Sequence, residues 1–276
     1  MSEIINFFLL KLKEKKISNP ELDLRVLLKE ASYKKKEIIL SNLEDKNINL
    51  KYLDLLIKRR LSGEPVSKII NKKYFWKSKF FVNSDVLDPR PETEIIIEEV
   101  LNCFKDKSKK FKILDLGTGT GCLAISLAKE YINSDILAID ISNKALKVAK
   151  KNIELHNMNK QIKIKNLDIE NVQNKFDLIV SNPPYIDENS YKKLDLEIKK
   201  YEPKLALIGG KDGLKFYRKF SKKIEKIMYK NSYFICEIGY NQLSSCKKIF
   251  NNTNLKLLKI SKDLQKIDRT LTFLKI

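Results

Sequence analysis

The sequence predicts an α/β protein, a doubly wound parallel sheet preceded by a small helical domain. Three observations carry this reading. From residue 111 onward, short β-prone apolar runs alternate with segments of helical periodicity. Glycines sit where the first of those strands passes into a helix. Ahead of this region no glycine occurs before Gly63, and apolar residues recur at helical spacing.

The elements follow in order. Ile4, Phe7, Phe8 and Leu12 share one face of a first helix. Ser18-Asn19-Pro20-Glu21 reads as a capped start to a second, whose stripe is Leu22, Val26, Leu27 and Leu28. Leu50, Leu53, Ile57 and Leu61 form a third, stopped by Gly63-Glu64-Pro65. Tyr74-Phe75-Trp76 and Phe80-Phe81-Val82 suggest a hairpin. A helix is expected over 94–104, then strands over 111–116, 136–140, 162–164 and 177–180, with helices to about 131 and over 143–156 between them. Residues 214–228 read as helix and 233–238 as strand, with short elements beyond. Three divisions are therefore expected: 1–72 helical, 73–92 a hairpin linker, and 93–276 the α/β domain.

Composition bounds the function. With 276 residues and 43% hydrophobic, the chain can fill a real core. Its longest apolar stretches are far short of the roughly 20 residues that span a bilayer. The opening MSEIINFFLLKLKEKK lacks the basic segment and small-residue site of a signal peptide, so an amphipathic first helix is expected there. Four cysteines without CxxC spacing read as buried free thiols of a reducing cytosol, with no metal site. The net charge of +20 is almost all lysine, since arginine appears only at positions 25, 59, 60, 90, 218 and 269. That favours charge spread over every solvated face; a basic face for a polyanion is the competing reading. The only histidine, His156, falls near a helix end and reads as a surface residue. No HExxH or G-x-S-x-G pattern supports metal hydrolysis or serine chemistry.

Two stretches carry chemistry. Asp115-Leu116-Gly117-Thr118-Gly119-Thr120-Gly121 spaces its glycines two and two, unlike the G-x-G-x-x-G of dinucleotide folds. Such a loop lets a ligand press on bare backbone. Asp140 ends the next strand, where its two oxygens can accept both hydroxyls of a ribose, and Asp168 follows the third strand, able to accept from an adenine amino group. Asn182-Pro183-Pro184-Tyr185 closes the fourth strand on the same edge. The prolines stiffen the backbone and leave its carbonyls without competing local donors. The Asn side-chain carbonyl and a proline carbonyl can then accept from one planar NH₂ laid against the tyrosine ring. An amide or aniline-like nitrogen is a poor nucleophile, and fixed acceptors orient it for attack. The tetrapeptide leaves open whether that NH₂ belongs to Gln, Asn, adenine, cytosine or guanine.

These residues resemble a class I S-adenosylmethionine-dependent methyltransferase, a Rossmann-like fold, acting on planar nitrogens. Further stretches narrow the resemblance: Gly63-Glu64-Pro65-Val66, Pro89-Arg90-Pro91-Glu92-Thr93-Glu94, Tyr201-Glu202-Pro203, Gly210-Lys211-Asp212-Gly213-Leu214 and Glu237-Ile238-Gly239 with Gln242. They are similar to the HemK/PrmC family, which methylates N5 of the glutamine in the Gly-Gly-Gln motif of peptide chain release factors during translation termination. The resemblance covers most of the chain from Arg59; the helical segment matches in size and character. It implies S-adenosyl-L-methionine as cofactor, with Gly117, Thr118, Gly119, Thr120 and Gly121 around its methionine part. Asp140 would hold the ribose, and Asp168 and Ile169 would flank the adenine. Asn182 would touch cofactor and substrate, with Asn182, Pro183 and Tyr185 as the catalytic set and Pro184 completing the frame around the amide. The helical domain would dock the release factor, in the cytoplasm, with no membrane and no direct nucleic-acid partner. Glutamine methylation of a ribosomal protein and amino-group methylation of a nucleic-acid base are the alternatives. The chain departs from the family pattern at Asp88, usually aliphatic, at Asn71 and Lys266, usually glycine, and at Ile169, often aromatic.

Overall fold

The computed structural model describes residues 3–33 and 47–276, and the helical reading of 34–46 lies outside them. The chain divides into two units. One runs through Lys72 and takes in Leu196–Tyr201; the other comprises Lys73–Asp195 and Glu202–Ile276. The segment Leu196–Tyr201, which the sequence assigns to the α/β part, thus groups with the helices.

In the first unit, α1 (Glu3–Glu14), α2 (Pro20–Ala31), α3 (Leu50–Leu61) and α4 (Val66–Ile70) close over one apolar core. The buried stripes are Ile5, Phe8, Leu9 and Leu12 on α1, and Leu24, Leu27, Leu28 and Ala31 on α2. Phe8, Leu12, Leu27 and Leu28 are buried as expected, whereas Ile4, Phe7 and Leu22 are exposed and Ile5, Leu9 and Leu24 are buried instead. Where apolar residues surround a helix, composition does not say which of them face the neighbours. Asn19 stands at the N-cap of α2 without a side-chain bond, and Pro20 starts the helix through its fixed φ. Asn49 caps α3 through a bond from Tyr52 N. Arg60 is buried among these helices and donates to Asp23 Oδ2 at 2.7 Å and Glu197 Oε2 at 3.2 Å.

The second unit opens with the hairpin β1 (Lys72–Phe75) and β2 (Ser78–Phe81), followed by α5 (Glu94–Cys103). Then β3 (Lys112–Leu116), α6 (Cys122–Glu130), β4 (Asp135–Asp140), α7 (Asn143–Leu155), β5 (Ile162–Asn166) and β6 (Phe176–Ser181) alternate as expected. The helix over 214–228 is shorter than expected: it spans Lys215–Lys223, and β7 already starts at Met228 and runs to Glu237. A helix Leu243–Phe250 and the hairpin β8 (Leu255–Lys262) and β9 (Asp268–Lys275) complete the chain.

Seven strands lie in the order β5-β4-β3-β6-β7-β9-β8. The expectation of a purely parallel sheet is corrected here, because β9 runs antiparallel to both β7 and β8. The helix Leu243–Phe250 carries the chain over to β8, and the hairpin back from β8 inserts β9 between β8 and β7, so β9 alone reverses. Along the central strands side chains alternate between two cores. Ile113, Leu178, Val180 and Ile235 meet α5 and α6 on one face. Leu114, Ile179, Phe234 and Cys236 meet Tyr217, Phe220 and Phe250 on the other. From β3 the chain steps outward through β4 to β5, then returns to β6 on the opposite side of β3. The switch point therefore lies between the carboxyl ends of β3 and β6, where ligands of open α/β sheets bind.

Candidate active site

At that switch point Ser181 Oγ donates to Leu116 O at 2.7 Å and ties the two strand ends together. A cavity opens directly above them, lined by residues of the glycine loop, by Asp140 and by Asn182.

The glycine loop is built on a buried carboxylate. Asp115, fully buried, accepts from Thr118 Oγ1 at 2.6 Å and from Ala124 N at 3.2 Å, so it folds the loop back over the start of α6. Burial pushes its carboxyl up to about 7 against the pull of those two donors. Gly119 has φ +54°, and nothing lies within 4 Å of where a Cβ would stand, so its backbone is bare toward the cavity. Its N–H donates to Asp140 Oδ2 at 3.0 Å, while Ser142 N donates to Oδ1 at 2.9 Å. Burial raises the Asp140 carboxyl despite these bonds. Each of its oxygens therefore carries one backbone donor and retains capacity to accept another. From α7 the buried Asn152 holds the far side: Nδ2 donates to Thr120 O and Phe81 O, both at 2.9 Å, and Oδ1 accepts from Phe81 N at 2.7 Å. Nothing in the sequence distinguishes Asn152 from the other asparagines; only its place at the end of an apolar helix face could have drawn notice.

Asp168 caps the turn that follows β5 and accepts from Glu170 N at 3.0 Å and Lys219 Nζ at 2.6 Å. Burial raises its carboxyl, but those donors outweigh it and hold the group below the ordinary range. Asp168 and the buried Ile169 line the cavity, yet the Asp168 carboxylate is already paired. The resemblance did not anticipate Lys219.

Asn182, Pro183 and Pro184 line the same cavity, with Thr118, Gly119 and Thr120 across from them. Asn182 Nδ2 donates to Thr93 Oγ1 at 2.9 Å, and Thr93 Oγ1 donates to Glu237 Oε2 at 2.6 Å. Tyr185 and Gly121 are not among the lining residues. Tyr185 sends its hydroxyl inward to Glu237 Oε1 at 3.0 Å, and burial pushes that hydroxyl well above its ordinary range. Gln242 Nε2 donates to Tyr185 O at 2.9 Å, and its Oε1 accepts from Gly239 N at 2.9 Å. A Cβ on Gly213 would collide with Tyr185 O, so only glycine lets that loop approach. Gly213, Glu237, Gly239 and Gln242, which in the sequence serve only as marks of resemblance, thus converge behind the Asn-Pro-Pro-Tyr loop, while Thr93, another such mark, lines the cavity beside Asn182. His156 is half-buried rather than fully exposed, packed on Phe80 with ring centroids 5.1 Å apart, and has no part in the site.

A mixed sheet of this strand order, with a glycine loop and an Asn-Pro-Pro-Tyr loop at its switch point, defines the class I methyltransferase fold. The hMettl16 catalytic domain, crystallised with MAT2A 3'UTR hairpin 6, shares the fold at TM-score 0.52 and 17% identity, over 70% of this chain and 74% of that one. A methyltransferase small domain matches residues 93–198, and a PrmC N-terminal domain matches residues 3–70. The release factor glutamine methyltransferase of Caulobacter vibrioides is 36% identical over 94% of this chain and 91% of its own length. The chain belongs to the HemK/PrmC family of release factor glutamine methyltransferases. The bifunctional methyltransferase of Rickettsia bellii is also 36% identical over 95% of this chain, which spans only 52% of that protein. The chain is thus about half the length of such bifunctional relatives.

Proposed function

We propose that the protein transfers a methyl group from S-adenosylmethionine to the side-chain amide nitrogen of the glutamine in the Gly-Gly-Gln motif of peptide chain release factors. The observation that carries this reading is the pair of loops at one switch point: a bare glycine backbone faces an asparagine whose NH₂ is already engaged by Thr93. Residues 117–121 fit the methionine part of the cofactor, because open space lies in front of Gly117 and Gly119. Asp140 is assigned the ribose hydroxyls, and Ile169 with Asp168 the edges of the adenine. The helical unit is assigned the docking of the release factor, and the cytoplasm, where release factors act, is the proposed compartment.

When bound, S-adenosylmethionine supplies the methyl as an electrophilic carbon on a sulfonium sulfur that keeps the electrons of the broken bond. Asn182 Oδ1 and the Pro183 carbonyl accept the two N–H bonds of the glutamine amide. They turn its lone pair out of conjugation toward the methyl and offset the positive charge that develops on nitrogen. Pro184 frames the amide plane, and Tyr185, anchored to Glu237 outside the cavity lining, stiffens the loop that carries Pro184. The alkylated nitrogen is acidic and releases its proton to water, so the site requires no strong base. Positioning and fixed dipoles supply the rate.

Labelled S-adenosylmethionine offered with a release factor, with the same factor lacking that glutamine, with ribosomal proteins and with nucleic acid tests the reading. Label is expected in the intact release factor alone. Label in nucleic acid only, or undiminished in the glutamine-less factor, rejects it.

A further inference from the structure

An asparagine amide can face a substrate with either end. With oxygen inward, Asn182 accepts from a substrate NH₂; with nitrogen inward, it sets donor against donor. The side chain by itself does not choose, so its neighbours must. Thr93 Oγ1 has one hydrogen, and Glu237 Oε2 lies 2.6 Å from it. A carboxylate only accepts, so the Thr93 hydrogen is committed to Glu237 and the hydroxyl shows Asn182 nothing but lone pairs. Thr93 and Glu237 are 3% and 1% exposed, so bulk water has little access to either. The other oxygen of Glu237 accepts the Tyr185 hydroxyl, so one carboxylate secures both ends of the loop.

We propose that Thr93 and Glu237 are positioning residues that fix the direction of the Asn182 amide, pointing Oδ1 into the cavity; this rests on the reading of Asn182 as the substrate's acceptor. Neither group touches the reacting atoms. Thr93 is delivered by the single turn Pro91–Thr93 ahead of α5, and Glu237 by the last residue of β7, so two distant segments meet to orient one amide. Glu237 also has a titration consequence. Burial raises its carboxyl to about 7, against the bonds from Thr93 and Tyr185 and the charge of Arg269, with Glu92 adding to the rise. Tyr185 and Tyr217, which also face it, stay neutral because burial lifts both hydroxyls. Once protonated, Glu237 becomes a donor, and Thr93 can turn its own hydrogen toward Asn182.

The test uses the full chain, S-adenosylmethionine and a release factor. Thr93→Val is expected to lower kcat at least about 30-fold while calorimetric affinity for S-adenosylmethionine stays within about threefold. Thr93→Ser, which keeps the hydroxyl, is expected to recover most of the loss. In the wild type kcat falls as pH drops through about 7, and Glu237→Gln removes that limb. The Asn182 side-chain NH₂, followed by ¹⁵N NMR without substrate, is slow to exchange in the wild type and fast in Thr93→Val. Thr93→Val at near wild-type kcat, Thr93→Ser as impaired as Thr93→Val, or an acid limb retained in Glu237→Gln overturns the proposal. If Thr93→Val does not fold, the pH profiles of wild type and Glu237→Gln decide it. A Thr93-dependent NMR signal in a protein that methylates no release factor upholds the positioning and rejects the substrate.

Discussion

On the proposed reading, Asn182 separates two tasks of the cavity, holding a cofactor and presenting an amide. Replacing it by alanine removes the substrate's acceptor but leaves the glycine loop and Asp140 intact. Asn182→Ala is therefore expected to lose about 100-fold or more in kcat with S-adenosylmethionine affinity within a few fold, measured by kinetics and calorimetry. Equal loss of both would make Asn182 a cofactor ligand alone. Single residues also account for two departures from the family pattern. Asn71 and Lys266, where the family resemblance leads one to expect glycine, have φ of +53° and +64°. Asparagine tolerates that region, whereas lysine is strained in it. Lys266→Gly should accordingly be neutral to stabilising, by up to about 1 kcal/mol in urea denaturation, although glycine also loosens the unfolded chain. A loss of stability would show that the lysine side chain holds the turn.

Elements were legible to the extent that their periodicity was. The strands ending in Leu116, Asp140 and Ser181 stand within a residue or two of their expected positions, because buried parallel strands are short apolar runs with sharp ends. The stripes of α1 and α2 were only half legible, Phe8, Leu12, Leu27 and Leu28 being buried but Ile4, Phe7 and Leu22 exposed, because apolar residues occur on more than one side of each helix. What secures the glycine loop to the hairpin could not be read at all, since Asn152 acts over 71 residues to Phe81 and 32 to Thr120. Asn152→Leu leaves three backbone groups unpaired, the buried Thr120 O and the part-buried N–H and C=O of Phe81, and should destabilise the protein by about 2–4 kcal/mol, read as a fall in urea midpoint. A change under about 0.5 kcal/mol would mean that other groups satisfy that backbone.

Across the molecule, two fully buried carboxyls among the described residues, Asp115 and Glu237, are each raised by burial to about 7 from ordinary values of 3.8 and 4.5. A raised carboxyl favours the folded state in its neutral form, so its contribution is complete below about pH 4 and is lost as pH rises through about 7. The window corresponds to about 4 kcal/mol for Asp115 and about 3 kcal/mol for Glu237. Urea midpoints are expected to fall between pH 5 and 8, with a shallower fall in Asp115→Asn; an unchanged slope in that variant would place its titration elsewhere. The net charge of +20, almost all of it lysine, did not decide a partner.

By itself the sequence determined the α/β alternation, the two loops at strand ends and the chemical class of their side chains, because periodicity and backbone-special residues act locally. Only the tertiary structure decided that β9 is reversed, that Asp168 is already paired with Lys219, and that Tyr185 faces Glu237. It also brought Thr93 and Glu237, 144 positions apart, onto the amide of Asn182. The direction in which an amide points is set by its partners' protons, and those partners are neighbours in space alone.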